Sequence, residues 1–226
     1  MLTCLCDAFF GEVGIATVKV LEHAGCKVEF DERQTCCGQP PFNSGDWESA
    51  KKMAAHAIEV LDGEHPIVTP SGSCAAMFRE GYHMVGGLEM KTKVYELCEF
   101  LYQVVKVKEW PTMPLPRRVG FHRSCHGRML GTGDTQERIL SLVGNLTVVP
   151  IGDPDQCCGF GGAFSISHSA TSRQIGLSKI DQLVKSGINE VVSGDMGCLM
   201  HLDGLAKKEG IPLKFTHIAE VLASAL

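Results

Sequence analysis

Short runs of β-branched and apolar residues alternate along the chain with longer segments whose apolar positions recur every three or four residues, a pattern that predicts strands alternating with helices. The order is plainest in the second half. Residues 118–122 read as a short strand, 134–143 as a helix, 147–151 as a strand and 169–185 as a longer amphipathic helix. A strand at 190–193, a helix after Gly197, a strand at 212–216 and a closing helix to Leu226 complete that half. The first half follows the same order, with helices at 12–23 and 46–61 and strands at 27–30 and 66–69. Strands linked through helices by short connections predict a parallel sheet covered by helices, an α/β fold. The stretch 106–116 contains three prolines and reads as a linker.

The repetition extends to individual residues. Cys4, Cys36 and Cys37 recur as Cys125, Cys157 and Cys158, each displaced by 121 positions, and both cysteine pairs run on into a glycine, Gly38 and Gly159. Residues 93–101 match 214–222 at the same displacement. Cys74 recurs as Cys198, displaced by 124, which places a three-residue insertion in a loop of the second copy. The chain therefore reads as two tandem, pseudo-symmetric Rossmann-like modules, residues 1–105 and 117–226, joined by the linker. Their cysteine-bearing edges are expected to face one cleft. Only Met1 and Leu2 precede Thr3 and Cys4. The first strand of the first module is thus expected either to be truncated or to begin upstream of Met1.

Composition narrows the chemistry. With 44% hydrophobic residues the 226-residue chain can bury a proper core. Charges nearly balance, 26 acidic against 21 basic, which argues against a nucleic-acid-binding face or an acidic disordered tail. No apolar window of about 18 residues and no export signal is present. Eleven cysteines, an odd number, in such a chain point to metal or redox chemistry in the cytoplasm rather than to a disulfide scaffold.

Cys4, the pair Cys36 and Cys37, and Cys74 each follow a predicted strand of the first module, as Cys125, Cys157, Cys158 and Cys198 do in the second. The carboxyl ends of parallel strands share one edge, so these thiols can converge there. Four thiolates can hold a [4Fe–4S] cluster, and four cysteines can also close a zinc site. Cys26 and Cys98 have no cysteine counterpart and read as core residues, while Cys6, aligned with Gly127, is a candidate extra thiolate.

The phrases Cys36-Cys37-Gly38-Gln39-Pro40, Ser71-Gly72-Ser73-Cys74, His122-Arg123-Ser124-Cys125-His126 and Cys157-Cys158-Gly159-Phe160-Gly161-Gly162, with residues 217–222, resemble the CCG or cysteine-rich domain family. The resemblance covers essentially the whole chain. That family includes a component of heterodisulfide reductase and the iron–sulfur subunits of glycolate oxidase and anaerobic glycerol-3-phosphate dehydrogenase. Likeness to its lactate-utilization members implies one [4Fe–4S] cluster per module and an electron-transfer role in oxidising L-lactate to pyruvate. It also implies two partner subunits, at least one carrying iron–sulfur clusters of its own. Whether L-lactate binds this chain or a partner stays open.

Where heterodisulfide-reductase motifs end in Cys-x-x-Cys, this chain has Ser71 and Asp195 in place of the first cysteine. That leaves four repeated thiols per module, with a thiol–disulfide role and a zinc-stabilised structural role as the alternative readings. The two sites also differ from each other. His122, His126 and Arg128 flank Cys125, whereas Met1 and Leu5 occupy the histidine positions in the first copy. A histidine titrates near neutral pH and an arginine can grip a carboxylate, so these three are the candidate catalytic residues and the second site the candidate chemical one.

Overall fold

A computed structural model describes residues 1–226. The first module runs α1 (Cys4–Phe9), α2 (Gly11–His23), α3 (Gln39–Asn43), α4 (Trp47–Leu61), β1 (Ile67–Thr69) and α5 (Gly72–Ala76). Helix α5 continues through a π-helical turn into α6 (Tyr82–Met84), and β2 (Val94–Glu96) and α7 (Leu97–Phe100) follow. The second module runs β3 (Arg117–Phe121), α8 (Cys125–Met129), α9 (Thr132–Ser141), β4 (Leu146–Val149), α10 (Phe164–Ser167) and α11 (Ser169–Lys185). It closes with β5 (Glu190–Ser193), α12 (Met196–Lys208), β6 (Lys214–His217) and α13 (Ile218–Ala223).

Both sheets are parallel throughout, as the strand–helix alternation requires. The second module holds four strands in the order β4-β3-β5-β6, and the first holds only the pair β1-β2. The strand expected at 27–30 joins no ladder, which corrects the sequence reading. The physical reason lies in its partner. In the second module the equivalent strand, β4, pairs only with β3, and in the structure described no strand lies beside residues 27–30 to pair with them. The Met1 nitrogen donates to the Val68 carbonyl at 2.7 Å, as the His122 nitrogen donates to Val192 at 2.8 Å at the top of β3. Below Met1, between Val28 and Val68, lies an open groove of about 1120 Å³, lined by Ile15, Val18, Val28 and Ile67 among others.

The two modules share one core. Helix α2 packs on α13, and α7 packs on α9. Because α2 corresponds to α9 and α7 to α13, these are the two copies of one contact related by pseudo-two-fold symmetry. Val20, Leu97 and Leu101 from the first module and Ile139, Leu140, Ile218 and Leu222 from the second are fully buried in a single apolar cluster. The proline-containing connection is pinned against it. Trp110 and Met113 are buried, and the Trp110 indole donates to the Leu222 carbonyl at 3.0 Å.

Candidate functional site

Each cysteine is placed by a helix start or a tight turn. Cys4 and Cys125 are the first residues of α1 and α8, capped by Thr3 and Ser124, whose hydroxyls accept from the Cys6 and Gly127 nitrogens. Cys74 and Cys198 sit in the first turns of α5 and α12, capped by Ser71 and Asp195. At these positions unpaired backbone N–H groups favour thiolate. The cysteine pairs precede Gly38 and Gly159, whose φ angles of +88° and +90° suit glycine. A side chain at Gly159 would also meet the Ser172 carbonyl at 2.5 Å.

The sequence-distant thiols converge. In the first module the sulfur atoms of Cys4 and Cys36 lie 3.4 Å apart and those of Cys37 and Cys74 lie 3.5 Å apart. In the second, Cys158 and Cys198 are 3.0 Å apart, and the Gly159 nitrogen donates to Cys157 at 3.3 Å. All eleven cysteines are free thiols. Hydrogen bonds from Cys37 and Cys4 lower the pKa of Cys36, and bonds from Cys125 and Cys158 lower that of Cys157. Cys4 and Cys125 are pushed the opposite way, first by those same bonds and then by burial. Thiols this close to one another are donors for a soft metal.

The surrounding polar groups fit a further occupant. Both His122 ring nitrogens and the Tyr82 hydroxyl are buried with no hydrogen-bond partner. His122 places a ring nitrogen within 4.8 Å of the Cys158 and Cys198 sulfurs. Tyr82 is buried in one side-chain cluster with Cys37 and Cys74. Buried polar groups are rarely left unpaired, and sulfur acceptors held by the thiols would satisfy both.

Comparison with known proteins bears on the same residues. The sequence model of the cysteine-rich domain family, CCG, matches residues 1–79 and 119–203. The chain belongs to this family. Among similar curated proteins, lactate utilization protein A of Bacillus cytotoxicus is 41% identical over 232 residues, covering 99% of this chain and 97% of the relative. Lactate utilization protein A of Geobacillus kaustophilus is 41% identical over 230 residues, covering 98% and 96%.

In this CCG protein the two cysteine edges face each other, as the repeat predicts. A Cβ on Gly72 would lie 3.2 Å from the Gly127 nitrogen, so α5 and α8 meet backbone to backbone. Asp195 spans the junction, one carboxylate oxygen accepting from Gly197 at 3.2 Å and the other from Ser73 at 3.0 Å. His126 lies between the modules, 3.3 Å from the Gln39 amide and 3.7 Å from the Cys125 sulfur. Arg128 reaches Asp155, two residues before Cys157, through its carbonyl and its carboxylate. His122 is fully buried, and burial, then Lys179, lowers its pKa to about 3, so it is neutral at physiological pH.

Cys98 and Cys6 are core residues, Cys6 packing with Val13, Met196 and Leu199, and Cys26 is half-buried against the shared core. Sequence reasoning passed over Tyr82, Lys179 and the cross-module bond from Gln136 to Glu96 at 3.0 Å. Lys179 was legible as an inward position, because it falls on the buried stripe Ser172, Gly176, Ile180 and Leu183 of α11. The other two carry no local signal.

Proposed function

We propose that the chain is the iron–sulfur electron-transfer subunit of a complex that oxidises L-lactate to pyruvate, with one [4Fe–4S] cluster per module. The observation that carries this reading is the close approach of repeated cysteines in both modules, Cys4 to Cys36, Cys37 to Cys74 and Cys158 to Cys198, the last pair with a His122 ring nitrogen beside it. Cys4, Cys36, Cys37 and Cys74 hold the first cluster and Cys125, Cys157, Cys158 and Cys198 the second. Relatives named for lactate utilization supply the substrate. Oxidising a hydroxy acid releases two electrons and two protons, and iron–sulfur clusters supply one-electron carriers that divide the pair. Two partner subunits, at least one with iron–sulfur centres, pass the electrons onward. No helix is long and apolar enough to cross a membrane.

The chain's own residues have separate tasks. His126, half-buried between Cys125 and Gln39, is placed to exchange a proton where the modules meet. Arg128 holds the loop before Cys157 and presents the fixed positive charge that a carboxylate seeks. His122, neutral and enclosed beside Cys158 and Cys198, would donate a hydrogen bond to a cluster bound there.

Anaerobic purification tests the reading directly. A brown protein with about four iron and four sulfide per module, bleached by dithionite, supports it, and Cys37→Ser and Cys158→Ser should each remove half the chromophore. A colourless protein with stoichiometric zinc would overturn it. With the partner subunits added, lactate should bleach the chromophore, and His126→Ala and Arg128→Ala should slow that step with both clusters retained.

A further inference from the structure

His122 directly follows β3, and its backbone nitrogen donates to the Val192 carbonyl at 2.8 Å, so the sheet fixes where its side chain starts. The ring is fully buried and neither nitrogen has a hydrogen-bond partner. A ring nitrogen and the Cys158 and Cys198 sulfurs all lie within 4.8 Å of one another, the one place in the chain where three such donor atoms come so close. Each donor rests on fixed backbone. Cys198 is in the first turn of α12, capped by Asp195, and Cys158 precedes the turn at Gly159. Cys125 is outside this grouping, exposed, with its sulfur 3.7 Å from the His126 ring. Cys157 takes hydrogen bonds from both Cys125 and Cys158 and so stands between the two.

The triad has the size of a single-ion site. Around a tetrahedral zinc ion, with Zn–S of about 2.3 Å and Zn–N of about 2.0 Å, ligand atoms stand roughly 3.5–3.8 Å apart. The Cys158 and Cys198 sulfurs are 3.0 Å apart, so they need part by less than about 1 Å to admit the ion. The first set is built differently. Its sulfurs approach as two pairs, Cys4 with Cys36 and Cys37 with Cys74, and Met1 takes the place of His122. The Met1 sulfur accepts from the Thr69 hydroxyl at 3.9 Å, and zinc is held by thiolate, imidazole and carboxylate rather than by thioether.

We propose that the second module is also a mononuclear zinc site, in which the His122 imidazole and the Cys158 and Cys198 thiolates hold one zinc ion and Cys157 closes the tetrahedron. This goes beyond the cluster reading, because the two occupants share a pocket and not a donor set. A cluster takes Cys125 and leaves His122 as a hydrogen-bond donor, whereas zinc takes His122 and leaves Cys125 free. The coordinating thiols give up their protons to solvent as the ion binds, and no electron moves. Zinc has no redox chemistry, so a chain filled in this way carries electrons through the first module alone.

Zinc titration of the full-length, metal-free, reduced protein tests the site, in a parent carrying Cys37→Ser and Cys74→Ser to silence the first set. One zinc per chain should bind, and X-ray absorption at the zinc edge should show imidazole together with sulfur. His122→Phe keeps a ring in the space and removes both nitrogens. It should abolish the imidazole signal and weaken zinc binding by more than the roughly 10–100-fold that losing a group behind a ligand costs. Without metal it should melt no lower than its parent, because two unpaired buried nitrogens are gone. His122→Cys restores a donor, and should recover zinc with a sulfur-only shell even where the phenylalanine unsettles the fold. Cys125→Ser should keep both the zinc and the imidazole signal. No zinc uptake by the parent, a sulfur-only shell there, unchanged affinity in His122→Phe, or loss of zinc in Cys125→Ser would each overturn the proposal. The cluster reading is judged separately, by iron and sulfide reconstitution of the chain with all its cysteines. The second chromophore should survive His122→Phe and be lost in Cys125→Ser. A chain that takes zinc through His122 and never a cluster sinks the cluster reading and keeps this one, and a chain that takes clusters and no zinc does the reverse.

Discussion

His217 and Glu96 occupy equivalent places at the ends of β6 and β2, and each caps the helix that follows. The His217 ring accepts from the Ala219 nitrogen through Nδ1, so Nε2 carries the proton and donates to the Pro70 carbonyl at 3.1 Å. Burial lowers its pKa from 6.5 to about 4. Between those values the unfolded chain binds a proton that the folded chain refuses, so stability falls as pH drops through this window, by about 3 kcal/mol. Glu96 does the reverse. Burial raises its carboxyl from 4.5 to about 7, so its contribution is fully present below pH 4.5 and is lost as pH rises through 7. The two effects oppose each other over the same range. Urea unfolding midpoints measured from pH 7.5 to 4 should therefore fall less steeply in His217→Gln than in the wild type, and more steeply in Glu96→Gln.

At the scale of elements, the pseudo-symmetry is kept in the helix caps and broken in the sheet. Ser71 and Asp195 cap equivalent helices, but the Ser71 hydroxyl serves Cys74 within its own module while Asp195 also binds Ser73 across the junction. Losing a cap costs about 1 kcal/mol, and a buried bond to a charged group is worth roughly 1.5–3 kcal/mol. Asp195→Ala should accordingly destabilise the protein by more than Ser71→Ala, by about 2 kcal/mol in denaturant titrations. The sheets differ by two strands. Residues 27–30 have the composition of a strand and no ladder, whereas β4 is bonded along its length to β3. Hydrogen exchange should show amides 27–30 unprotected and those of β4 that face β3 slowed by orders of magnitude.

The whole molecule behaves as one unit because its largest apolar cluster belongs to neither module alone. Removing residues 1–105 would strip α2 from α13 and α7 from α9 and expose Ile139, Leu140, Ile218 and Leu222. The fragment 117–226 is therefore expected to aggregate or remain partly folded. The intact chain should give a single calorimetric transition whose calorimetric and van't Hoff enthalpies agree. Two separated transitions would show that the modules fold independently despite the shared core.

By itself the sequence determined the α/β class, the duplication at a displacement of 121, the eight repeated cysteines and most element positions. Those are one-dimensional properties: apolar periodicity, cap residues and glycines act within a few residues, and a repeat needs no coordinates to be seen. Tertiary structure decided the rest. Residues 27–30 satisfy every local rule for a strand, yet a strand exists only where a distant segment supplies its hydrogen bonds. Asp195 looked like a departure from a motif until its second oxygen was found on Ser73 of the other module. Lys179 lay on a buried stripe in the sequence, but only packing shows that its ammonium meets the Asp153 carbonyl, because burial and hydrogen-bond partners depend on which chain segments come together.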